Sequence, residues 1–113
     1  MNDNCLFCKI IQGQIPAAKL YEDNDVLAFA DINPQAPTHF LVVPKKHITG
    51  PGAAAETDDS MIGKILRVGA DIAKNRGVEQ FRFVINNGAD AGQTVFHLHL
   101  HVLGGRPMSW PPG

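Results

Sequence analysis

Long hydrophobic runs are missing from this sequence. Its best candidates, Val26-Leu27-Ala28-Phe29-Ala30 and Phe40-Leu41-Val42-Val43, fall far short of the roughly 20 apolar residues that cross a bilayer, so no membrane-spanning segment is expected. The opening Met1-Asn2-Asp3-Asn4 has no basic n-region and no long apolar h-region, which leads to the expectation of a cytoplasmic protein without a signal peptide. Cysteine is scarce as well. Two in the whole chain are too few for a disulfide framework, and in a reducing compartment a closely spaced pair more often marks a metal or redox site. Charge of either sign is also not in excess. Ten basic residues oppose 11 acidic ones for a net charge of −1, and no basic run interleaved with aromatics would track a phosphate backbone, so long nucleic acid is not an expected partner. Internal repeats and low-complexity segments are absent too.

The rest is ordinary globular material: 44% hydrophobic and 19% charged over 113 residues. That length suits a single domain, 1–113, large enough to bury a core without staples. Ala18 to Tyr21 and Val26 to Ala30 flank the polar turn Glu22-Asp23-Asn24-Asp25 and read as a hairpin. Phe40 to Val43 reads as a third strand, stopped at Pro44 because proline cannot donate to a ladder. Gly50-Pro51-Gly52-Ala53-Ala54-Ala55 has the composition of a surface loop.

Beyond that loop, Thr57-Asp58-Asp59-Ser60 offers N-cap candidates. Ile62, Ile65, Leu66, Gly69, Ile72 and Ala73 then recur at helical spacing, and Gly77 suits the C-terminal end. Phe81, Phe83 and Ile85 alternate with polar or smaller neighbours as a fourth strand, and residues 95–103 make a fifth. Five strands joined mostly by turns, with one main helix, predict an antiparallel α+β layer.

The fifth strand carries the chemistry. Successive side chains on a strand point to opposite faces, so His97, His99 and His101 share one face and Leu98, Leu100 and Val102 the other. Same-face neighbours lie about 6.5–7 Å apart along the strand, within reach of one ligand lying across it. Three readings stand at this level: a half-exposed strand, a metal site made by all three, and a nucleophile with its partners. The second is awkward, since same-face strand residues splay rather than close around one ion. The third suits phosphorus chemistry, because neutral imidazole attacks at pH 7 and leaves readily. Before the run lies Asn86-Asn87-Gly88-Ala89-Asp90-Ala91-Gly92-Gln93-Thr94. Its glycines and polar side chains would hold phosphate oxygens, or would simply connect a hairpin. Cys5-Leu6-Phe7-Cys8 has the spacing by which two thiolates grip an ion, yet needs two more ligands; a redox pair and two free thiols are the alternatives.

The run His97 to Leu103 matches the histidine-triad signature, His-φ-His-φ-His-φ-φ, at all seven positions. The segments Asp31 to Phe40, Pro44 to Ile48, Asn86-Asn87-Gly88, Gly92 to His97, Leu103 to Arg106 and Trp110-Pro111-Pro112-Gly113 resemble the nucleotide-binding, Hint-like branch of that family, so the resemblance runs from Cys5 to Gly113. It implies a five-stranded antiparallel fold with one main helix, pairing into a larger sheet across a homodimer, and a purine nucleotide (AMP or GMP derivative) as substrate. His99 would attack the α-phosphorus to give a nucleotidyl-histidine that water hydrolyses, with His101 on the phosphate as the second catalytic residue. Asn86, Gly92, Gln93, Thr94 and Val95 would surround the phosphate and scissile bond. Leu6, Phe7, Ile10, Ile15, Phe29 and Ile32 would hold the base, although read alone each is equally a core residue. Asp31 would accept from the ribose, and Trp110 would reach the leaving-group side of its own or a partner subunit's site, or act as a docking anchor.

Bacterial-type members bind zinc through such a cysteine pair and two histidines. The resemblance therefore implies a structural zinc on Cys5, Cys8, His47 and His97, which removes His97 from the catalytic set. His39, preceding the third strand, is given no catalytic role. The implied activity is that of a purine nucleoside phosphoramidase acting on adenosine phosphoramidates or aminoacyl adenylates. The alternatives are a dinucleoside polyphosphate hydrolase and a zinc-stabilised nucleotide-binding adaptor. Departures from some relatives fall at Ala30, Pro107 and Ser109.

Overall fold

The computed structural model describes residues 4–113; residues 1–3, on which the expectation of no signal peptide largely rests, lie outside it. A short helix, α1 (Leu6–Ile11), is followed by strands β1 (Lys19–Glu22), β2 (Val26–Ala30) and β3 (Thr38–Pro44), the long helix α2 (Asp59–Asn75), and strands β4 (Phe81–Val84) and β5 (Leu100–Gly104). All five strands form one antiparallel sheet in the order β1-β2-β3-β5-β4. No helix among the described residues is long and apolar enough to cross a membrane.

The hairpin forms because Asp23 caps its own turn, Oδ1 accepting from the N–H groups of Asp25 and Val26 as Asx turns do. Helix α2 buries Ile65, Val68, Gly69, Ile72 and Ala73, the apolar stripe of the sequence. It ends with Gly77 at φ 81°, whose N–H donates to Lys74 O. A residue with a Cβ would be strained at that angle. At the other end Asp58 occupies the N-cap position, but its carboxylate serves the preceding turn, accepting from Ala55 N–H and the Lys46 ammonium.

The sheet is covered on both sides, which explains why β2 and β3 read as unbroken apolar runs. Val26, Ala28, Phe40, Val42, Leu98, Leu100 and Val102 pack beneath α2. Leu27, Phe29, Leu41 and Val43 face the other way, against Phe7, Cys8 and Ile10 of α1. Full burial of each such aliphatic or Phe side chain contributes about 1.5–3 kcal/mol, so both faces stabilise the sheet.

Several strand bounds differ from expectation, and one helix has no counterpart in the sequence reading. Helix α1 carries no periodic signal in six residues, and its N-cap is Cys5, whose Sγ accepts from Cys8 N–H. Strand β3 begins at Thr38 and includes His39. The fourth strand ends at Val84 rather than Ile85, and the fifth begins at Leu100, not at 95. Residues 95–99 precede the ladder, with Val95 half-buried, Phe96 exposed and His97, Leu98 and His99 all buried. Leu98 N–H donates to Ile48 O and ties them to the segment that follows β3.

Candidate active site and metal centre

Backbone partners decide what each histidine can do. His97 is fully buried, with Nε2 2.8 Å from the carbonyl of Pro44. A carbonyl only accepts, so Nε2 carries the proton and Nδ1 is left with a lone pair. That lone pair faces Cys5 Sγ at 3.4 Å, Cys8 Sγ at 3.6 Å and His47 Nδ1 at 3.1 Å, while Cys8 Sγ lies 3.3 Å from His47 Nδ1. A tetrahedral zinc with ordinary bond lengths has N···N edges of about 3.3 Å and N···S edges of about 3.55 Å. The four donor atoms therefore fit that polyhedron. The His97 bond to Pro44 O is the outer-shell support that metal-bound histidines require. Burial pushes the Cys5 thiol up, so a bare thiolate is unfavourable there and an adjacent cation relieves the cost.

His99 takes the opposite tautomer. Its Nδ1 lies 2.7 Å from His97 O and so carries the proton, which leaves the Nε2 lone pair free. Phe7 packs edge-on against the ring, with centroids 5.0 Å apart and planes at 87°. Burial holds the imidazole below its ordinary pKa, so the neutral form prevails at pH 7.

A third histidine joins the site, and sequence reading gave it no such part. Leu41 pairs with His101 across β3 and β5, which makes His39 the diagonal neighbour of His101 on the same face. Gln35 N–H donates to His39 Nδ1 at 2.9 Å, so the proton of neutral His39 sits on Nε2. That nitrogen lies 3.0 Å from His101 Nδ1 and 3.3 Å from Asp31 Oδ2. His101 Nδ1 thus accepts, and its own proton is placed on Nε2. Asp31, His39 and His101 also form a carboxylate–histidine cluster tight enough for an ion. Their tautomers argue against one. A metal on His39 Nε2, with Nδ1 already accepting from Gln35, would require an imidazolate. Of these two clusters among the described residues, the Cys5, Cys8, His47 and His97 set is the one that keeps a ring nitrogen, His97 Nδ1, free for a metal.

Burial first, then the neighbouring His99 and His39, pushes His101 down to about 4, and burial also lowers His39. The sign follows directly. Below about pH 6.5 the unfolded chain takes up protons that the folded one refuses, so stability falls as pH drops from 6.5 towards 4. Urea midpoints at pH 7.5 and 5.0 should show the lower value at pH 5.0; a flat profile would contradict these neutral assignments.

The histidines end a cavity of about 560 Å³, within the range of small-molecule sites. Leu6, Phe7, Ile10, Ile15, Phe29 and Ile32 make its apolar part, and Asp31, Thr94, Val95, His99 and His101 the polar end. Pro16, Ala17, Ala18, Ala30 and Leu41 also line it; their small or hairpin-bound side chains carried no motif. Phe7, Ile10 and Phe29 are at once core and wall. Four expected site residues are not among the lining ones. Asn86 lies against Gly92, the left-handed cap of a 3-10 turn over Ala89–Ala91. Gln93 is 3% exposed with its amide turned inward. Trp110 is 82% exposed, in a tail that Arg82 holds through Ser109 O.

Comparisons with known proteins agree with this geometry. The model of the HIT domain matches residues 12–108. An uncharacterised HIT-like protein of Synechocystis is 54% identical over the full length of both chains. A 14 kDa zinc-binding protein of maize is 50% identical over 96% of this chain and 87% of its own. Among solved structures, a HIT family hydrolase from Legionella pneumophila superposes with a TM-score of 0.95 at 49% identity, covering 97% of this chain and all of the other. A histidine triad protein from Clostridium difficile does so with 0.93 at 44%, over 96% of each.

Proposed function

This chain belongs to the HIT domain family, and we propose that it hydrolyses a bond at the α-phosphorus of purine nucleotides, as a nucleoside phosphoramidase with adenosine phosphoramidates or aminoacyl adenylates as its class of substrate. The observation that carries this reading is the pair of opposed protonation states at the pocket's polar end: a free Nε2 lone pair on His99 beside an Nε2–H on His101. The base lies among Leu6, Phe7, Ile10, Ile15, Phe29 and Ile32, with Asp31 toward the ribose. Thr94 and the N–H of Val95 hold phosphate oxygens, and Asn86 and Gly92 shape the loop beside them.

His99 Nε2 forms a bond to phosphorus as the bond to the leaving group breaks, an amine departing with a proton taken from solvent and a carboxylate departing as the anion, while His101 Nε2–H is hydrogen-bonded to the phosphate. Water then attacks phosphorus and gives up one proton to solvent, and His99 leaves as neutral imidazole with the nucleoside monophosphate released. Zinc on Cys5, Cys8, His47 and His97 is structural: all four positions are filled by protein, so it keeps the fold together and takes no part at phosphorus. Two reduced thiols in such a site suit a cytoplasmic location. The sheet edge left open by β4 and the exposed Trp110 support a homodimer, which light scattering would measure.

Assays with adenosine and guanosine phosphoramidates beside a dinucleoside polyphosphate, read by release of monophosphate, test the substrate class. Faster turnover of the polyphosphate would reject it. His39 acts through His101. We expect His39→Ala to lower kcat by about 10–100-fold, at the low end of acid–base effects, with zinc content unchanged. Wild-type kcat in that variant would remove His39 from the scheme.

A further inference from the structure

The loop that delivers Thr94 and Val95 is largely exposed from Asn87 to Gly92, and a free loop of that kind is costly to order around a ligand. In this chain two amide side chains order it beforehand. Gln93 donates from Nε2 to both Thr49 O, at 2.8 Å, and Val95 O, at 3.1 Å, while its Oε1 accepts from Gly88 N–H at 2.8 Å. Its two amide hydrogens are both spent, so it has no donor left for a phosphate oxygen. Asn87 Oδ1 accepts from Gly52 N–H at 2.7 Å. Both bonds end on the segment that leaves His47, and that segment also accepts Leu98 N–H at Ile48 O.

The fit around these amides is close. A Cβ on Gly52 would sit 2.8 Å from Asn87 Oδ1, and one on Gly50 would sit 2.9 Å from the same atom and 3.2 Å from Gln93 Oε1. Neither glycine is needed for an unusual backbone angle, since Gly50 is extended at φ −172° and Gly52 is not among the positive-φ glycines. Their lack of a side chain leaves room for the amides.

We propose that Asn87 and Gln93 are positioning residues that pin the 86–95 loop to the 48–52 segment, so that the anion-binding part of the pocket exists before any nucleotide arrives. The inference rests on the nucleotide reading for its purpose, though not for its test. Amide hydrogen exchange of the ligand-free, zinc-loaded protein is measured for wild type, Asn87→Ala, Gln93→Ala, Gly52→Ala and the double variant Asn87→Ala/Gly52→Ala, with Gly63→Ala, whose Cβ would meet nothing within 4 Å, as control. Exchange across 86–96 should rise in the three single variants and not in the control. Because Asn87→Ala removes the atoms that Gly52 accommodates, the double variant should exchange no faster than Asn87→Ala alone. Additive effects would overturn the pin. AMP binding should weaken by about tenfold in Gln93→Ala, the scale of a lost buried hydrogen bond. Weaker AMP binding with unchanged loop exchange would make Gln93 a direct phosphate ligand and overturn the proposal. Failure of wild type to bind AMP would count against the nucleotide reading alone, and the exchange data would still decide the pin.

Discussion

Replacing His99 with alanine should lower turnover of an adenosine 5′-phosphoramidate by about 10⁴-fold or more, the scale on which removal of a covalent nucleophile acts. The size follows from how completely the site is arranged for one atom. The Nδ1–H of His99 is committed to His97 O, so the free lone pair is on Nε2. Burial suppresses the charged ring, which keeps that lone pair available at neutral pH. No second imidazole can stand in: His97 has its free nitrogen among the cysteines, and His101 accepts at Nδ1 from His39. The variant should still bind AMP, because the apolar walls and the 94–95 turn are untouched. Turnover within tenfold of wild type would show that another group attacks phosphorus.

The second large effect concerns the metal. Wild type should carry about one zinc per chain, and Cys8→Ser none, because a four-ligand structural site loses most of its affinity with one ligand. Zinc binding in small finger domains is worth about 10–16 kcal/mol. Here the sheet has its own core beneath α2, so only part of that stability is at stake. A loss of about 3–5 kcal/mol, or on the order of 10–20 °C in Tm, is expected by calorimetry. Helix α1 should loosen first. It is six residues long, far below the length at which an isolated helix persists in water, and both of its sulfur tethers end on the ion. An unchanged Tm together with an unchanged zinc content in Cys8→Ser would refute the assignment.

What could be read from the sequence depended on whether the signal was local. The stripe Ile65, Leu66, Gly69, Ile72 and Ala73 announces α2 because its period is built into the chain, and the histidine run announces itself for the same reason. Helix α1 is too short to show a period, and a cysteine cap does not resemble the usual serine or aspartate. The part of His39 is not legible locally because it depends on the pairing of Leu41 with His101, which brings His39 to His101 across 62 positions. With that register assumed, a same-face diagonal pair of histidines could have been inferred. Gln93 stands in the loop where the resemblance pointed, yet only the coordinates of Thr49, Gly88 and Val95 reveal that its amide turns away from the pocket. The metal set is implied by resemblance. Its support here is the tautomer imposed on His97 by Pro44, which no spacing rule contains.

The alternation from His97 to Val102 has a consequence for how this chain can change. Odd positions serve the pocket and the metal, while Leu98, Leu100 and Val102 serve the core under α2. The two sets are interleaved on one backbone with a period of two, so an insertion or deletion of a single residue there would exchange them wholesale, sending imidazoles into hydrocarbon and leucines toward phosphate. Substitutions in the run can be graded, but shifts of frame cannot. The segment is phase-locked, and its length is as much a catalytic requirement as its histidines.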